Sequence, residues 1–275
     1  MVEKTPMVET KNRFNTQWVV GGFNFLRLTG PRKKRDPRIR RKSAKLRAFA
    51  HHEGLLRTGM AAAAFALGWL GLDALKKCRW DACHDDALGV ETSENVPLQS
   101  LSMDSSIKEH AGWYEPTPPF EFRHAMSMLR IEYERYRFID YGSGKGRVLL
   151  LASELPFIEV LGVEVDRQLH NIASRNIAAY PGERMICCDV KSICMNATEW
   201  SPPTGPLVVF MFNPFDQIIL APVLRQISAA IASVSQPSYL VYKNPKHNET
   251  VLSDGHFSCI ENLFGGALLI YETVL

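Results

Sequence analysis

From about residue 112 to the C-terminus, short apolar runs alternate with longer segments whose apolar positions recur at helical spacing. A short apolar run bounded by turn residues is typical of a buried strand, and apolar positions three and four residues apart are typical of a helix. The pattern predicts strands at 137–140, 158–165, 184–190, 206–213, 238–244, 256–263 and 267–274. It predicts helices at 120–136, from near Gly146, at 168–180 and at 217–233.

This alternation predicts an α/β fold built on a doubly wound, mostly parallel sheet of seven strands. Strands separated by helices pair in parallel and carry helices on both faces. The strand at 206–213 is continuously apolar, as a strand covered on both faces should be. The last two strands lack a helix-length connection, so we expect them to pair antiparallel and to close the sheet as a hairpin.

Residues 1–95 are predicted to form an N-terminal extension that precedes a second domain at 96–275. Within the extension, the basic tract at 32–47 holds ten Lys or Arg and one Asp, a local charge of +9 in a chain of net charge +3, so the remainder carries −6. Such a tract is either a solvated arm or a surface that binds an anionic partner, and both alternatives stay open. The tract lacks the interleaved aromatic residues of a single-stranded nucleic-acid surface, which favours the solvated arm.

Two further features of the chain bear on membranes, redox state and metals. The apolar run at 60–72 is 13 residues long, whereas a bilayer span needs about 20, so a buried helix is expected there. The six cysteines form no C-x-x-C pair, which predicts reduced thiols in a cytoplasmic protein. Cys78, Cys83 and His84 lack a second ligand pair at zinc spacing, so no metal is expected.

The stretch FIDYGSGKGRVLLLAS, residues 138–153, carries the strongest chemical signal. A predicted strand ends at Asp140 and continues into Gly142, Gly144 and Gly146. Glycine accepts positive φ and lets the backbone approach a ligand where a Cβ would collide, so the stretch predicts a nucleotide-type binding loop. The dinucleotide fingerprint would need glycine at Arg147, and a phosphate loop would need glycine at Ile139, so both are excluded.

An acidic residue two positions before G-x-G-x-G resembles the first motif of class I S-adenosylmethionine-dependent methyltransferases. The resemblance extends over residues 112–275, where five alternating units end in a hairpin. It implies a Rossmann-like fold and S-adenosyl-L-methionine as cofactor. It also implies that Asp140 and the three glycines lie against the amino-acid portion of that cofactor.

Further acids follow at the ends of the next two predicted strands. Glu164 lies 18 residues after Gly146, near the spacing expected of an acid that binds ribose hydroxyls. Asp166 competes with Glu164 for that role, but the acid that directly follows Gly-Val is favoured by the resemblance. Asp189 ends the third predicted strand, where the family places an acid against the adenine amino group.

The end of the fourth predicted strand, FNPFD at 212–216, is expected at the reacting end of the cleft. Asn213, Pro214 and Phe215 resemble a shortened [DN]-P-P-[FY] motif of amino-nitrogen methyltransferases, with the second proline missing. The side-chain carbonyl of Asn213 and the backbone carbonyl of Pro214 are expected to hold an attacking N–H, and Phe215 to pack against a developing cation. Strand-end turn chemistry is an equal alternative.

Two loops complete the predicted site. In WYEPTPP, Tyr114 and Thr117 are expected to close over the cofactor, as a similar loop does in lysine-methylating members that resemble the disruptor-of-silencing histone methyltransferases; a proline-rich connector is the alternative. Asn244 and Pro245, after the fifth strand, are expected on the substrate side.

The sequence therefore predicts a methyltransferase whose acceptor is a nitrogen, first in a lysine-like protein side chain and second in nucleic acid. The competing hypothesis is a non-catalytic module of the same fold that binds partners through its basic N-terminal region. The predicted partners are a macromolecular acceptor and an anionic partner for the tract at 32–47, and no strong membrane signal is present.

Overall fold

The computed structural model describes strand backbone at 10–12, 15–20 and 23–26, helical residues 44, 45, 47, 48, 50 and 51, and residues 85–274. The chain divides into two compact units, Met1–Ile39 and Arg40–Leu275. In the first unit, β1 (Thr10–Asn12), β2 (Asn15–Val20) and β3 (Phe23–Leu26) form an antiparallel sheet in that order. The apolar segment at 60–72, most of the basic tract, and Cys78, Cys83 and His84 lie outside the described residues.

The second unit is built on a seven-stranded sheet, which confirms the predicted fold class. Its strands are β4 (Arg137–Tyr141), β5 (Glu159–Glu164), β6 (Val190–Cys194), β7 (Leu207–Phe212), β8 (Tyr239–Lys243), β9 (Phe257–Leu263) and β10 (Leu268–Thr273). The order across the sheet is β6-β5-β4-β7-β8-β10-β9. The strands from β6 to β8 pair in parallel, and β10 pairs antiparallel with both of its neighbours, as expected of the C-terminal hairpin.

The helices that accompany this sheet are α1 (Ser105–Lys108), α2 (Pro119–Leu129), α3 (Arg147–Ser153), α4 (Arg167–Ala179), α5 (Gln217–Ile231) and α6 (Asn248–Ser253). The N-termini of α4 and α5 are capped by Asp166 and Asp216, each of which accepts from two backbone N–H groups. The prediction that α2 continues to residue 136 is wrong. Arg130 adopts the left-handed conformation, with φ of 51°, and ends the helix there.

The predicted strand at 184–190 is also wrong, because β6 begins where that segment was expected to end. The backbone N–H groups of Ile186 and Cys187 donate to the carbonyl of Ser153 at the end of α3, which holds this stretch away from the sheet. Pairing with β5 starts when Val160 donates to the Asp189 carbonyl, and it continues through Cys194.

The period-two alternation of strand side chains fills two cores, one on each face of the sheet. On one face, Phe138 and Phe210 pack with Phe122 of α2. On the other face, Ile139 and Val209 share a core with α5. The helical residues between 44 and 51 belong to the larger unit: Ala48 is buried in the core on the α2 face.

Within the described part of the chain, no helix is long and apolar enough to cross a membrane. Over the same residues, no group of three or more His, Cys, Asp or Glu side chains is placed to hold a metal ion.

Candidate functional site

The strand order reverses between β4 and β7, and a cavity of about 820 Å³ opens at the carboxyl ends of these strands. This is where open α/β sheets bind their ligands. The structure brings most of the predicted site residues to this cavity: Tyr114, Thr117, Asp140, Gly142, Gly144, Glu164, Asn213, Pro214 and Phe215. Gly146, Asp189 and Pro245 do not line it, whereas Asn244 does.

The glycine loop after β4 has the backbone conformation that its sequence predicts. Gly142, Gly144 and Gly146 have φ of 73°, 54° and 83°, a region that favours glycine. A Cβ at Gly142 would lie 2.4 Å from Cβ of Pro214, and a Cβ at Gly144 would lie 2.2 Å from the Tyr114 ring. Gly146 precedes α3, and a Cβ there would lie 3.0 Å from Cβ of Ala173 in α4, so it serves helix packing.

Two buried carboxylates face this loop. Glu164 accepts from the backbone N–H groups of Gly144 and Asp166, each at 2.8 Å, and burial raises its pKa to about 7. Burial, and then the charge of Glu164, raises the pKa of Asp140 well above its usual range. Among the described residues, the Asp140 carboxylate has no hydrogen-bond partner, so it remains available to a ligand.

Asp166, the alternative to Glu164 as the ribose-binding acid, is already hydrogen-bonded within the protein. One carboxylate oxygen caps α4 by accepting from Gln168 and Leu169, each at 2.9 Å. The other accepts from the backbone N–H and the hydroxyl of Ser102. Asp166 does not line the cavity, so the geometry favours Glu164.

Asp189 lies at the amino end of β6, whereas the cavity opens at the carboxyl ends of the strands. Its predicted place at a strand's carboxyl end is therefore wrong. It comes just before β6, its side chain is half exposed, and it forms an ion pair with Lys191 at 2.8 Å. The residues that follow β6 and line the cavity are Met195, Asn196 and Ala197. Asn196 therefore has the strand-end position that the sequence pattern assigned to Asp189.

The segment 97–117 supplies a wall of the cavity, and hydrogen bonds tie it down. The Tyr114 hydroxyl donates to the Thr92 carbonyl at 2.7 Å, and Val96 and Tyr114 form an isolated antiparallel bridge. Thr117 is 3% exposed. The Tyr114 ring packs against Gly144 of the glycine loop, and closure of Tyr114 and Thr117 over a cofactor stays a prediction.

A buried polar network anchors the stretch just before this segment to α3. The Arg147 guanidinium donates to the hydroxyls of Thr92 at 2.7 Å and Ser93 at 2.9 Å, and it lies 3.3 Å from the Asp85 carboxylate. Asp85 in turn accepts from both hydroxyls. Because Arg147 directly follows the glycine loop, this network fixes the start of α3 relative to residues 85–93.

The FNPFD loop reaches the cavity, but its carbonyl groups have partners within the protein. Asn213 is left-handed, with φ of 44°, and its side-chain carbonyl accepts from the Tyr242 hydroxyl at 3.3 Å. The Pro214 carbonyl accepts from the Gly112 N–H at 2.8 Å. Each carbonyl oxygen has a second lone pair, so the role of holding an attacking N–H stays a prediction for both residues.

Behind the end of β8 lies a buried ion cluster that the sequence did not reveal. Glu121 of α2, 2% exposed, forms short ion pairs with Lys243, itself buried, and with Lys45. Although burial opposes ionisation, the charges of the two lysines lower the pKa of Glu121. The Lys243 ammonium also lies 4.4 Å from the centroid of the Phe212 ring, which lines the cavity. Lys45, near the C-terminal end of the basic tract, thus belongs to the buried ion cluster of the larger unit.

The sequence pattern also missed His110, which lines the cavity 2.8 Å from Asp216. A lone histidine in a loop gives no motif, and its partner lies 106 residues away in sequence. Asn196 could have been found in the sequence from its position just after the third strand of the large sheet. The misplaced strand at 184–190 concealed that signal.

The strand order decides the fold, because the order β6-β5-β4-β7-β8-β10-β9, with β10 antiparallel, is that of the seven-stranded methyltransferase sheet. The chain has the fold of class I methyltransferases. No protein-family model matches the sequence, and no curated protein sequence matches it.

Solved methyltransferase structures resemble the chain at low identity. One is the ribosomal protein L11 methylase of Lactobacillus delbrueckii subsp. bulgaricus, at 12% identity over 56% of this chain and 77% of that one, with a TM-score of 0.43. Another is a TehB-like S-adenosylmethionine-dependent methyltransferase of Corynebacterium glutamicum, at 12% identity over 56% and 86% of the two chains, with a TM-score of 0.40. A third, from Thiobacillus denitrificans and solved with S-adenosyl-L-homocysteine, has 17% identity over 52% and 66%, with a TM-score of 0.39.

Proposed function

We propose that this chain is an S-adenosylmethionine-dependent methyltransferase. The observation that carries the proposal is the pair of buried carboxylates, Asp140 and Glu164, that face a glycine loop at the reversal of strand order. Neither carboxylate has a cationic partner among the residues that the structure describes, and a ligand that donates hydrogen bonds to both would offset the cost of burying them. The cavity volume of about 820 Å³ is within the range of small-molecule sites.

The lining residues fit the parts of this cofactor. Glu164 accepts from Gly144 on one oxygen and from Asp166 on the other, with the Val165 N–H also directed at the carboxylate, and its remaining lone-pair capacity would serve the ribose hydroxyls. Asp140 and the backbone of Gly142 and Gly144 would hold the amino-acid portion, whose ammonium group would pair with the carboxylate.

The adenine would lie beside Asn196. The Asn196 side-chain carbonyl accepts from the backbone N–H and hydroxyl of Thr198, so its amide N–H groups remain as donors to a ring nitrogen. When bound, the cofactor supplies a sulfonium methyl group for in-line transfer. The protein's contribution is to align the acceptor and exclude water.

For the acceptor, we infer a nitrogen in a protein side chain, with nucleic acid second. The cavity carries an indole, Trp113, that is 70% exposed, and the exposed carboxylate of Glu115. An indole face and a carboxylate suit a cationic, lysine-like side chain, whereas a nucleic-acid acceptor would favour a basic rim. Phe215 and Phe212 add aromatic surface to the same cavity.

The test is transfer of a tritiated methyl group from S-adenosylmethionine to a cell lysate, followed by separate digestion with protease and nuclease. We expect label that protease releases and nuclease does not. Nuclease-sensitive label would overturn the protein acceptor and retain the activity. Cofactor binding without label in any fraction would favour the non-catalytic module.

A further inference from the structure

His110 lines the cavity, and one nitrogen of its imidazole ring is hydrogen-bonded. Its Nδ1 lies 2.8 Å from Oδ2 of Asp216, and the two side chains are 28% and 32% exposed. Among the described residues, Nε2 of His110 has no hydrogen-bond partner. The imidazole therefore presents one unengaged nitrogen in a cavity that also holds Asn213 and Phe215.

Backbone contacts fix this histidine against the loop that follows β7. The Asp216 N–H donates to the His110 carbonyl at 2.9 Å, and Ala111 and Phe215 form an isolated antiparallel bridge. Asp216 is itself held, because its Oδ1 caps α5 by accepting from Ile218 at 2.9 Å. The ring is thus positioned by two contacts that are independent of any ligand.

The partner of Nδ1 determines where the imidazole proton resides. Burial acts against ionisation of Asp216, but its hydrogen bonds from His110, Ile218 and Ile219 lower its pKa, so the group is a carboxylate at neutral pH. A carboxylate accepts hydrogen bonds and does not donate them, so Nδ1 carries the proton. In the neutral ring, Nε2 then has the free lone pair of a base.

We propose that His110 is the general base that takes a proton from the methyl acceptor, and that Asp216 is the residue that positions it. The proposal rests on the proposed function. The ammonium of a lysine-like acceptor has no lone pair with which to attack until one N–H proton is removed. The acceptor proton passes to Nε2, the freed electron pair forms the nitrogen–carbon bond, and the carbon–sulfur bond breaks with its electrons remaining on sulfur.

Other charged groups share the cavity and enter any pH profile. They are Glu115, Asp140, Arg147, Glu164 and Lys246. Arg147 is paired with Asp85, and Asp140 and Glu164 are assigned to the cofactor. Glu115 and Lys246 are exposed and form no described ion pair with His110, so Asp216 is the charge bonded to the imidazole.

The test compares the full chain with His110→Asn, Asp216→Asn and His256→Asn. Asparagine at 110 keeps an N–H near the position of Nδ1 for Asp216 but offers no basic nitrogen. His256 is the matched control, because its Nδ1 also lies near an aspartate, 2.9 Å from Asp254, while the residue is exposed and outside the cavity. Transfer to lysate protein, S-adenosylhomocysteine affinity and the unfolding midpoint are measured for each.

For His110→Asn we expect transfer to fall by about 100-fold or more, with ligand affinity and unfolding midpoint unchanged. For Asp216→Asn, loss of the carboxylate that accepts from Nδ1–H no longer fixes the tautomer, so transfer should fall and the NMR spectrum of His110 should show a proton on Nε2. His256→Asn should behave as the wild type. A merely structural role for Asp216 would change the midpoint and leave the tautomer of His110 unaltered.

Long-range proton–nitrogen NMR of His110 gives a result that needs no acceptor. The proposal predicts the tautomer with the proton on Nδ1, and a proton on Nε2 would overturn it. Equal transfer by wild type and His110→Asn would also overturn it while leaving the proposed function intact. Absence of S-adenosylhomocysteine binding, or binding without transfer, in the wild type would overturn the proposed activity and this role together.

Discussion

The ring of Tyr114 occupies the space that a side chain on Gly144 would need, since a Cβ there would lie 2.2 Å from Cδ2 of the tyrosine. Tyr114 is held in turn by its hydroxyl, which donates to the Thr92 carbonyl. The glycine loop is thus packed between the strand ends and the segment 97–117. Its glycines are required both for backbone conformation and for close approach.

Gly144→Ala should therefore destabilise the fold by about 3 kcal/mol, from left-handed strain and overpacking together. Gly255→Ala is the matched control, because Gly255 has φ of +79° and nothing within 4 Å of a Cβ, so it reports the strain alone. Urea unfolding measures both. The Tyr114→Ala change should recover part of the loss in the Gly144→Ala background, and no recovery would contradict the contact.

The raised pKa of Glu164, about 7, makes ligand binding pH-dependent. Ribose hydroxyls donate to the ionised carboxylate, so the affinity for S-adenosylhomocysteine should fall as pH drops below about 7, approaching tenfold per pH unit. Calorimetry between pH 5.5 and about 8 tests this. Glu164→Gln should bind more weakly with a flatter profile, and an unchanged slope in this variant would assign the proton elsewhere.

Protonation of Glu164 also affects the stability of the fold in the absence of ligand. Between the ordinary value of 4.5 and about 7, the folded state retains a proton that the unfolded chain has lost. The stabilisation from Glu164 is therefore fully present below the lower value and is lost as pH rises through about 7. Urea unfolding should show this decline, up to about 3 kcal/mol, in the wild type and a smaller decline in Glu164→Gln, where burial still raises the pKa of Asp140.

Asn196, rather than Asp189, is expected to contribute to ligand binding. Asn196→Ala should weaken S-adenosylhomocysteine binding by about tenfold, the effect of losing a hydrogen bond to a bound ligand. Asp189→Ala should leave it unchanged, because that side chain lies outside the cavity. Titration calorimetry distinguishes the two, and the reverse order of effects would restore the sequence-based assignment.

Removing one partner of the buried ion pair between Lys243 and Glu121 should destabilise the fold, whereas replacing both with apolar side chains should restore most of the stability. Lys243→Met leaves a carboxylate that is 2% exposed with Lys45 as its partner, and it should cost about 3 kcal/mol in urea unfolding. Adding Glu121→Met should recover most of that loss. The exposed ion pairs of Lys191 provide the control, and Lys191→Met should leave the unfolding midpoint unchanged. No recovery in the double variant would contradict the pairing.

The sheet and the glycine loop could be predicted because their signals are local. Apolar runs marked β4, β5, β7 and the C-terminal hairpin to within about one residue at each end, within the usual uncertainty of element boundaries. The third strand failed for a non-local reason. Residues 184–190 have strand-like composition, but the Ser153 carbonyl binds Ile186 and Cys187 and keeps them out of the sheet.

The reacting end was less predictable because its contacts cross the chain. The motif at 213–215 was recognised, yet the partners of its carbonyl groups, Gly112 and Tyr242, carry no sequence signal. The pairing of His110 with Asp216 is invisible for the same reason.

Binding of the cofactor by the two buried carboxylates can be measured by titration calorimetry of S-adenosylhomocysteine into the full chain near pH 8, with Asp140→Asn and Glu164→Gln as comparisons. We expect one binding site per chain in the wild type and clearly weaker binding in both variants. A folded wild-type protein that releases no heat with this ligand, or that binds it equally well after both carboxylates are neutralised, would contradict the account.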